Sequence, residues 1–192
     1  MDISLFDIRR YDTLPVQAGY GEWARTYEDT VLDLMDLRLF ERVRSVPWRQ
    51  GRQVADLACG TGRIGVWLRQ QGVETIDGID LTPEMLDGAR AKGVYRTLQQ
   101  ADVGTPNLPS NTYDIVTASL VDEHLPDLRP MYMEAARIAC FGGHFVLVGY
   151  HPYFMINGTP THFDRASGEP ASIQCYVHLF ADHVQAALGA AL

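Results

Sequence analysis

From Gln53 onward, short apolar runs alternate with stretches of helical periodicity, and no other feature restricts the fold of this chain as tightly. Gln53 to Ala58 reads as a strand, and a helix follows from about Arg63 to Gln71 with Gly72 as its C-cap. Thr75 to Asp80 is the next strand. Thr82 then caps a helix that has Pro83 in its first turn and closes at Gly93. Tyr95 to Ala101 and Tyr113 to Ser119 are strands three and four, a helix runs from about Leu128 to Ala139, and Phe141-Gly142-Gly143 turns into a fifth strand, His144 to Tyr150. Strands separated by helices run parallel and are joined by right-handed crossovers, so the spacing predicts an α/β, doubly wound sheet flanked by helices.

The segments on either side read differently. Val31, Met35, Leu39 and Val43 recur every four residues, with Asp33, Arg38 and Arg42 off that stripe, and predict one helix ending before Pro47. Residues 151–172 are rich in Pro, Gly and aromatics, without period, and predict a long loop. The last helix, about Ala181 to Ala191, has Val184, Leu188 and Ala191 on one face. A chain of 192 residues suits one domain. It divides into a helical N-terminal cap (1–50), a core (51–150), a probable substrate loop (151–178) and a C-terminal helix (179–192).

Composition narrows the partners. A formal charge of −8 disfavours nucleic acid, whose binding depends on Lys and Arg neutralising phosphates. No apolar run approaches the roughly 20 residues that cross a bilayer, and the N-terminus resembles neither a signal nor a transit peptide. Three cysteines, Cys59, Cys140 and Cys175, without a CxxC pair, fit a reducing cytoplasm and no disulfide framework.

Three acids fall at the carboxyl ends of successive strands, where a doubly wound sheet forms its ligand crevice: Asp56, Asp80 and Asp102. In the first strand-to-helix turn, Gly60 and Gly62 let the backbone pass close to a ligand. Asp80 stands where a carboxylate accepts both hydroxyls of a ribose. The literal GxGxxG formed by Gly60, Gly62 and Gly65 keeps a nicotinamide or flavin reading open beside any other.

Residues 54–65, VADLACGTGRIG, and 78–86, GIDLTPEML, resemble the first two motifs of class I S-adenosylmethionine-dependent methyltransferases. Gln100-Ala101-Asp102-Val103 resembles the third, and Asn107-Leu108-Pro109 with Thr112-Tyr113-Asp114-Ile115-Val116 the approach to strand four. The resemblance spans about 20–150 and implies a Rossmann-like methyltransferase that binds S-adenosylmethionine (SAM), releases S-adenosylhomocysteine (SAH) and methylates a small molecule by in-line displacement. By it, Asp56, Ala58, Cys59, Gly60 and Gly62 line the methionine and ribose part of the cofactor, though Cys59 also reads as a packing residue. Asp80 holds the ribose, Leu81 and Met85 flank adenine, Asp102 and Val103 meet its edge, and Ser119 with Leu120 lies beneath the sulfonium. Tyr20-Gly21-Glu22-Trp23-Ala24-Arg25-Thr26-Tyr27-Glu28 is similar to a stretch that covers the cofactor in related enzymes, which places Tyr20 at the site and Trp23 in the core.

A base is needed only if the acceptor loses a proton. His124, just after strand four, is the candidate, with Glu123 behind it; a structural histidine bonded to backbone is the competing reading. His151, His162 and His178 are too widely spaced to predict a metal site. The family's usual C-terminal antiparallel strand pair is missing, so the strand containing Phe145-Val146-Leu147-Val148 is expected to be exposed and to favour a homo-oligomer. An NAD(P)-binding oxidoreductase and a non-catalytic SAM-binding protein remain as alternatives.

Overall fold

The structure is a computed structural model and describes residues 1–32 and 34–192; Asp33 lies outside the described residues. The chain opens with a single-turn helix, Ile3–Leu5, a short strand β1 (Asp12–Leu14), and three helices, α1 (Val16–Trp23), α2 (Tyr27–Thr30) and α3 (Met35–Arg42). The core follows as β2 (Gln53–Leu57), α4 (Arg63–Gln70), β3 (Thr75–Asp80), α5 (Pro83–Lys92), β4 (Thr97–Gln100), β5 (Tyr113–Ser119), α6 (Arg129–Ile138) and β6 (Ala139–Val148). Then come α7 (Pro152–Ile156), β7 (His162–Asp164), β8 (Pro170–Ile173) and α8 (Phe180–Gly189).

The core strands form one parallel sheet in the order β4-β3-β2-β5-β6. Alternation along the strands divides the apolar residues between its faces. Ala55, Leu57, Ile79, Val116 and Ala118 pack beneath α6 and α8, while Val54, Ile76, Ile115, Val146 and Val148 pack against Phe40, Trp48 and Trp67. The order reverses between β2 and β5, so a crevice opens beyond their carboxyl ends.

Four local expectations are corrected. The first long helix is broken: α2 ends at Thr30, α3 begins at Met35, and Met35 and Leu39 face solvent. The buried face is Asp36 and Phe40, because Asp36 pairs with Arg63 at 3.0 Å and Phe40 packs on Trp48 and Trp67. Apolar periodicity cannot score a face that carries an acid. On α8, Val184 and Leu188 are exposed; small Ala186, Ala187 and Ala190 face the core and let the helix lie close to α6. The glycine turn before the fifth strand is a bulge within β6, where pairing jumps from Tyr113↔Ala139 to Ile115↔His144. The side chains of Val146 and Val148 are buried, so the exposed part of this strand is its backbone edge.

The fourth correction concerns 151–172, which is not structureless. β7 and β8 pair antiparallel, and β8 pairs parallel with β1 (Asp12↔Ala171, Thr13↔Ser172, Leu14↔Ile173). Trp23, Phe163, Ala171 and Ile173 form the core of this second sheet, with Trp23 stacked on Phe163 at 5.3 Å. The N-terminal cap and the loop after β6 are therefore one layer.

Tyr95 locks the core. β4 starts two residues later than expected because Tyr95 turns inward, donating its hydroxyl to Asp56 Oδ2 at 2.7 Å. Its ring occupies space that side chains would fill: a Cβ added at Gly65 would lie 2.3 Å from it, at Gly78 2.9 Å and at Gly62 3.0 Å. The other oxygen of Asp56 accepts from Thr117 Oγ1 at 2.9 Å. Burial raises the Asp56 carboxyl to about 6, against the lowering effect of these two bonds.

Two outcomes follow. Gly65→Ala should lose about 2–3 kcal/mol in urea unfolding through overpacking, and its cost should shrink by about 1 kcal/mol or more in a Tyr95→Leu background. A carboxyl raised in the folded state contributes most stability when protonated, and that contribution falls as pH rises through about 4 to 6. The stability of the wild type relative to Asp56→Asn should thus drop by roughly 2–3 kcal/mol between pH 4 and pH 7, measured by denaturant unfolding.

Candidate functional site

The crevice is a cavity of about 1030 Å³, counted to its open side. Its floor is the β2–α4 loop, which passes through left-handed conformations at Ala58 (φ 54°) and Gly60 (φ 53°). Nothing lies within 4 Å of a Cβ built on Gly60, so this backbone faces open space. The loop is stapled to the end of β3: Cys59 N–H donates to Ile79 O at 2.8 Å, and Gly60 N–H to Asp80 Oδ2 at 2.8 Å. Asp80 Oδ1 accepts from Thr82 N–H, also at 2.8 Å, which fixes the carboxylate at the mouth of α5. Burial raises the Asp80 carboxyl, opposed by these amide bonds.

Ten of the twelve residues expected to bind cofactor line this cavity: Tyr20, Ala58, Cys59, Gly60, Asp80, Leu81, Met85, Asp102, Val103 and Ser119. Asp56 and Gly62 do not. Asp56 is held behind the loop by Tyr95 and Thr117, and Gly62 (φ 90°) starts α4 against the Tyr95 ring. Asp102 is exposed at the rim and accepts from Gly104 N–H at 2.7 Å. Among the described residues, Ser119 Oγ is buried without a hydrogen-bond partner. Burial, with Asp56 and Asp80 nearby, pushes the Cys59 thiol well above its ordinary range, so it rests as a neutral thiol and a poor nucleophile.

His124 also lines the cavity, with both ring nitrogens engaged. Nδ1 is 2.8 Å from Gln174 O, and Nε2 is 2.9 Å from the Tyr20 hydroxyl. Burial lowers its imidazole to about 4, so it rests neutral and offers no bare nitrogen to the cavity. Glu123 is buried, and burial together with Asp122 raises its carboxyl. His178 Nε2 donates to Leu125 O and His162 Nδ1 donates to Pro160 O, while His151 caps α7.

Sequence reasoning missed the polar ties that hold the cap over the cavity. Glu28 of α2 accepts from Thr61 Oγ1 and, at 2.6 Å, from Lys92 Nζ. Gln17 Nε2 donates to Leu81 O at 3.3 Å. Asp36 and Arg63 both reach the cavity wall as an ion pair. The sequence carried one usable signal, the YE ending of the aromatic segment, but nothing to show that Glu28 reaches the glycine loop.

Residues 55–147 match the family described as a methyltransferase domain. The human methyltransferase-like protein 27 is 31% identical over 116 residues, 56% of this chain and 47% of that protein. A methyltransferase of Emericella nidulans is 25% identical across 97% of this chain and 78% of its own. The chain thus spans about half the length of the human relative. Among solved structures, a SAM-dependent methyltransferase of Mesorhizobium loti superposes with a TM-score of 0.65 at 23% identity, covering 84% of this chain and 81% of its own. A DhpI–SAH complex gives 0.68 at 21%, covering 91% and 84%. Both share the fold. Motif order, sheet order and the domain match agree: residues 55–147 match the methyltransferase domain family, and the fold is that of the SAM-dependent methyltransferases it superposes on.

Proposed function

We propose that this chain transfers the methyl group of SAM to a small-molecule acceptor inside the capped cavity. The observation that carries the reading is convergence: residues from four strand ends, at Ala58–Thr61, Asp80, Asp102 and Ser119, meet at one cavity. The residues fit the family's cofactor. Asp80 keeps lone pairs beyond its two amide bonds for ribose hydroxyls, Leu81 and Met85 offer apolar walls to adenine, and Asp102 with Val103 stands at the rim for its edge. The unpartnered Ser119 hydroxyl and the open face of Gly60 suit the methionine end.

Bound there, SAM supplies an electrophilic methyl group on a sulfonium that leaves without an acid. The protein's task is to hold the acceptor in line and exclude water, which is worth on the order of 7–11 kcal/mol of barrier. The cap does both: α1 and α2 line the cavity through Val16, Tyr20 and Tyr27 and are tied to the core through Tyr20, Gln17 and Glu28. The nicotinamide alternative loses its support, since Gly65 is required by the Tyr95 ring.

The surroundings fit a cytoplasmic protein that acts on small molecules. All three cysteines are free, the net charge is −8, and among the described residues no helix is long and apolar enough to cross a membrane. The outer edge of β6 pairs with no strand among the described residues, and Phe180, Val184 and Leu188 of α8 are exposed, which supports self-association; light scattering reads it directly.

Calorimetric titration should show micromolar binding of SAM and SAH and none of NAD, with Asp80→Ala weakening SAM by about tenfold or more. Binding of NAD alone, or no binding by folded protein, overturns the proposal.

A further inference from the structure

The hydrogen bonds around His124 have only one consistent direction. Gln174 O is a carbonyl and can only accept, so at 2.8 Å it requires a proton on Nδ1. Buried and neutral, His124 holds no second proton, and Nε2 is left as a lone pair. The Tyr20 hydroxyl, 2.9 Å away, must then donate to Nε2. Its proton is committed: burial raises the phenol well above its ordinary range, so it stays protonated, and no other group among the described residues donates to its oxygen. Glu123 Oε1 at 3.8 Å from Nε2 is out of reach, and the Cys175 thiol at 3.9 Å from Nδ1 is at most a weak second acceptor there.

Tyr20 therefore meets the cavity as an acceptor only, and Ser119 at the end of β5 adds a rotatable hydroxyl to the cavity lining. We propose that the cavity is polarised to take an acceptor whose reacting atom carries a hydrogen, an O–H or N–H that donates to Tyr20, and to discriminate against one that presents lone pairs alone. The inference rests on the methyl-transfer reading and adds the acceptor's class to it. A weakly acidic hydroxyl fits best, because the walls near His124, Leu120, Val121, Leu125 and Pro126, carry no formal charge to pair with an ionised acceptor. When such an acceptor gains the methyl group, its proton passes to the Tyr20 oxygen as Tyr20's own passes to His124 Nε2. The imidazolium so formed keeps its Nδ1 bond to Gln174. The cavity loses one positive charge at sulfur and gains one at His124, so its net charge is unchanged through the transfer. Tyr20 is the residue that touches the acceptor; His124 acts through it.

The test needs no known substrate. In SAH-loaded protein with nitrogen-15-labelled histidine, NMR should find His124 neutral at pH 7, protonated at Nδ1 and accepting at Nε2. A proton on Nε2, or an imidazolium, overturns the inference while SAH binding leaves the methyltransferase reading standing. Phenol and anisole then serve as matched probes that differ only in the O–H. Phenol should bind the SAH-loaded protein about fivefold or more tighter than anisole, shift the His124 Nε2 signal, and lose that advantage in Tyr20→Phe, where the Nδ1–H signature persists. Phenol that binds no tighter than anisole, including no binding of either, overturns it, as does a preference that survives Tyr20→Phe.

Discussion

One phenol organises the floor of this site. Tyr95 reaches Asp56 through a slot left by Gly62, Gly65 and Gly78: its ring packs on the start of α4 and the middle of β3, and the bond at 2.7 Å ties the segment before β4 to β2. An ionisable side chain buried beside the loop needs its bonds satisfied, and the Tyr95–Asp56–Thr117 chain satisfies both oxygens. With that chain in place, the loop above it can run through left-handed turns at Ala58 and Gly60 and still present its backbone to the cavity. Without it, the glycines would be slack rather than open. The literal dinucleotide pattern thus owes its third glycine to a neighbouring ring, a case in which a short motif is met for a reason outside its usual chemistry.

How far the sequence could be read follows from how local each cause is. β3 and β5 fall on the expected residues, and β2, α5 and the acids at the strand ends fall within a residue or two, because alternation, caps and glycines act over a few positions. Ten of the residues expected at a cofactor fall on one cavity for the same reason: strand ends can be located from strands, and a doubly wound sheet brings the ends together. Asp56 was misplaced because its direction depends on Tyr95, thirty-nine positions on, and no spacing rule reports that pairing. The buried face of α3 escaped because its anchor is an ion pair with α4. β7 and β8 are three and four residues long, too short for a period to show, and their partner β1 lies at the other end of the chain.

The cap is where two distant segments act as one. α1 packs on β8 so closely that a Cβ on Gly19 would meet Ile173 Cγ1 at 2.8 Å, and His124 is gripped from both sides, by Tyr20 of α1 and by the carbonyl of Gln174 just past β8. Its attachment to the core combines polar ties, Glu28 to Thr61 and Lys92, Gln17 to Leu81, Tyr20 to His124, with the apolar packing of Phe40 and Trp48 on Trp67.

The parallel pairing of β1 with β8 also sets an order of assembly. Thr13 bonds Ser172 across 159 positions, whereas every strand of the main sheet is complete by Val148. As the chain is synthesised, the nucleotide-sized crevice is built first and its roof later. β1 must wait, unpaired, until the segment around Ile173 has emerged, and at about 5–20 residues per second that interval runs to many seconds. Until then the strands of the main sheet stand beneath an incomplete cap, and α8, which packs on the same sheet, emerges later still.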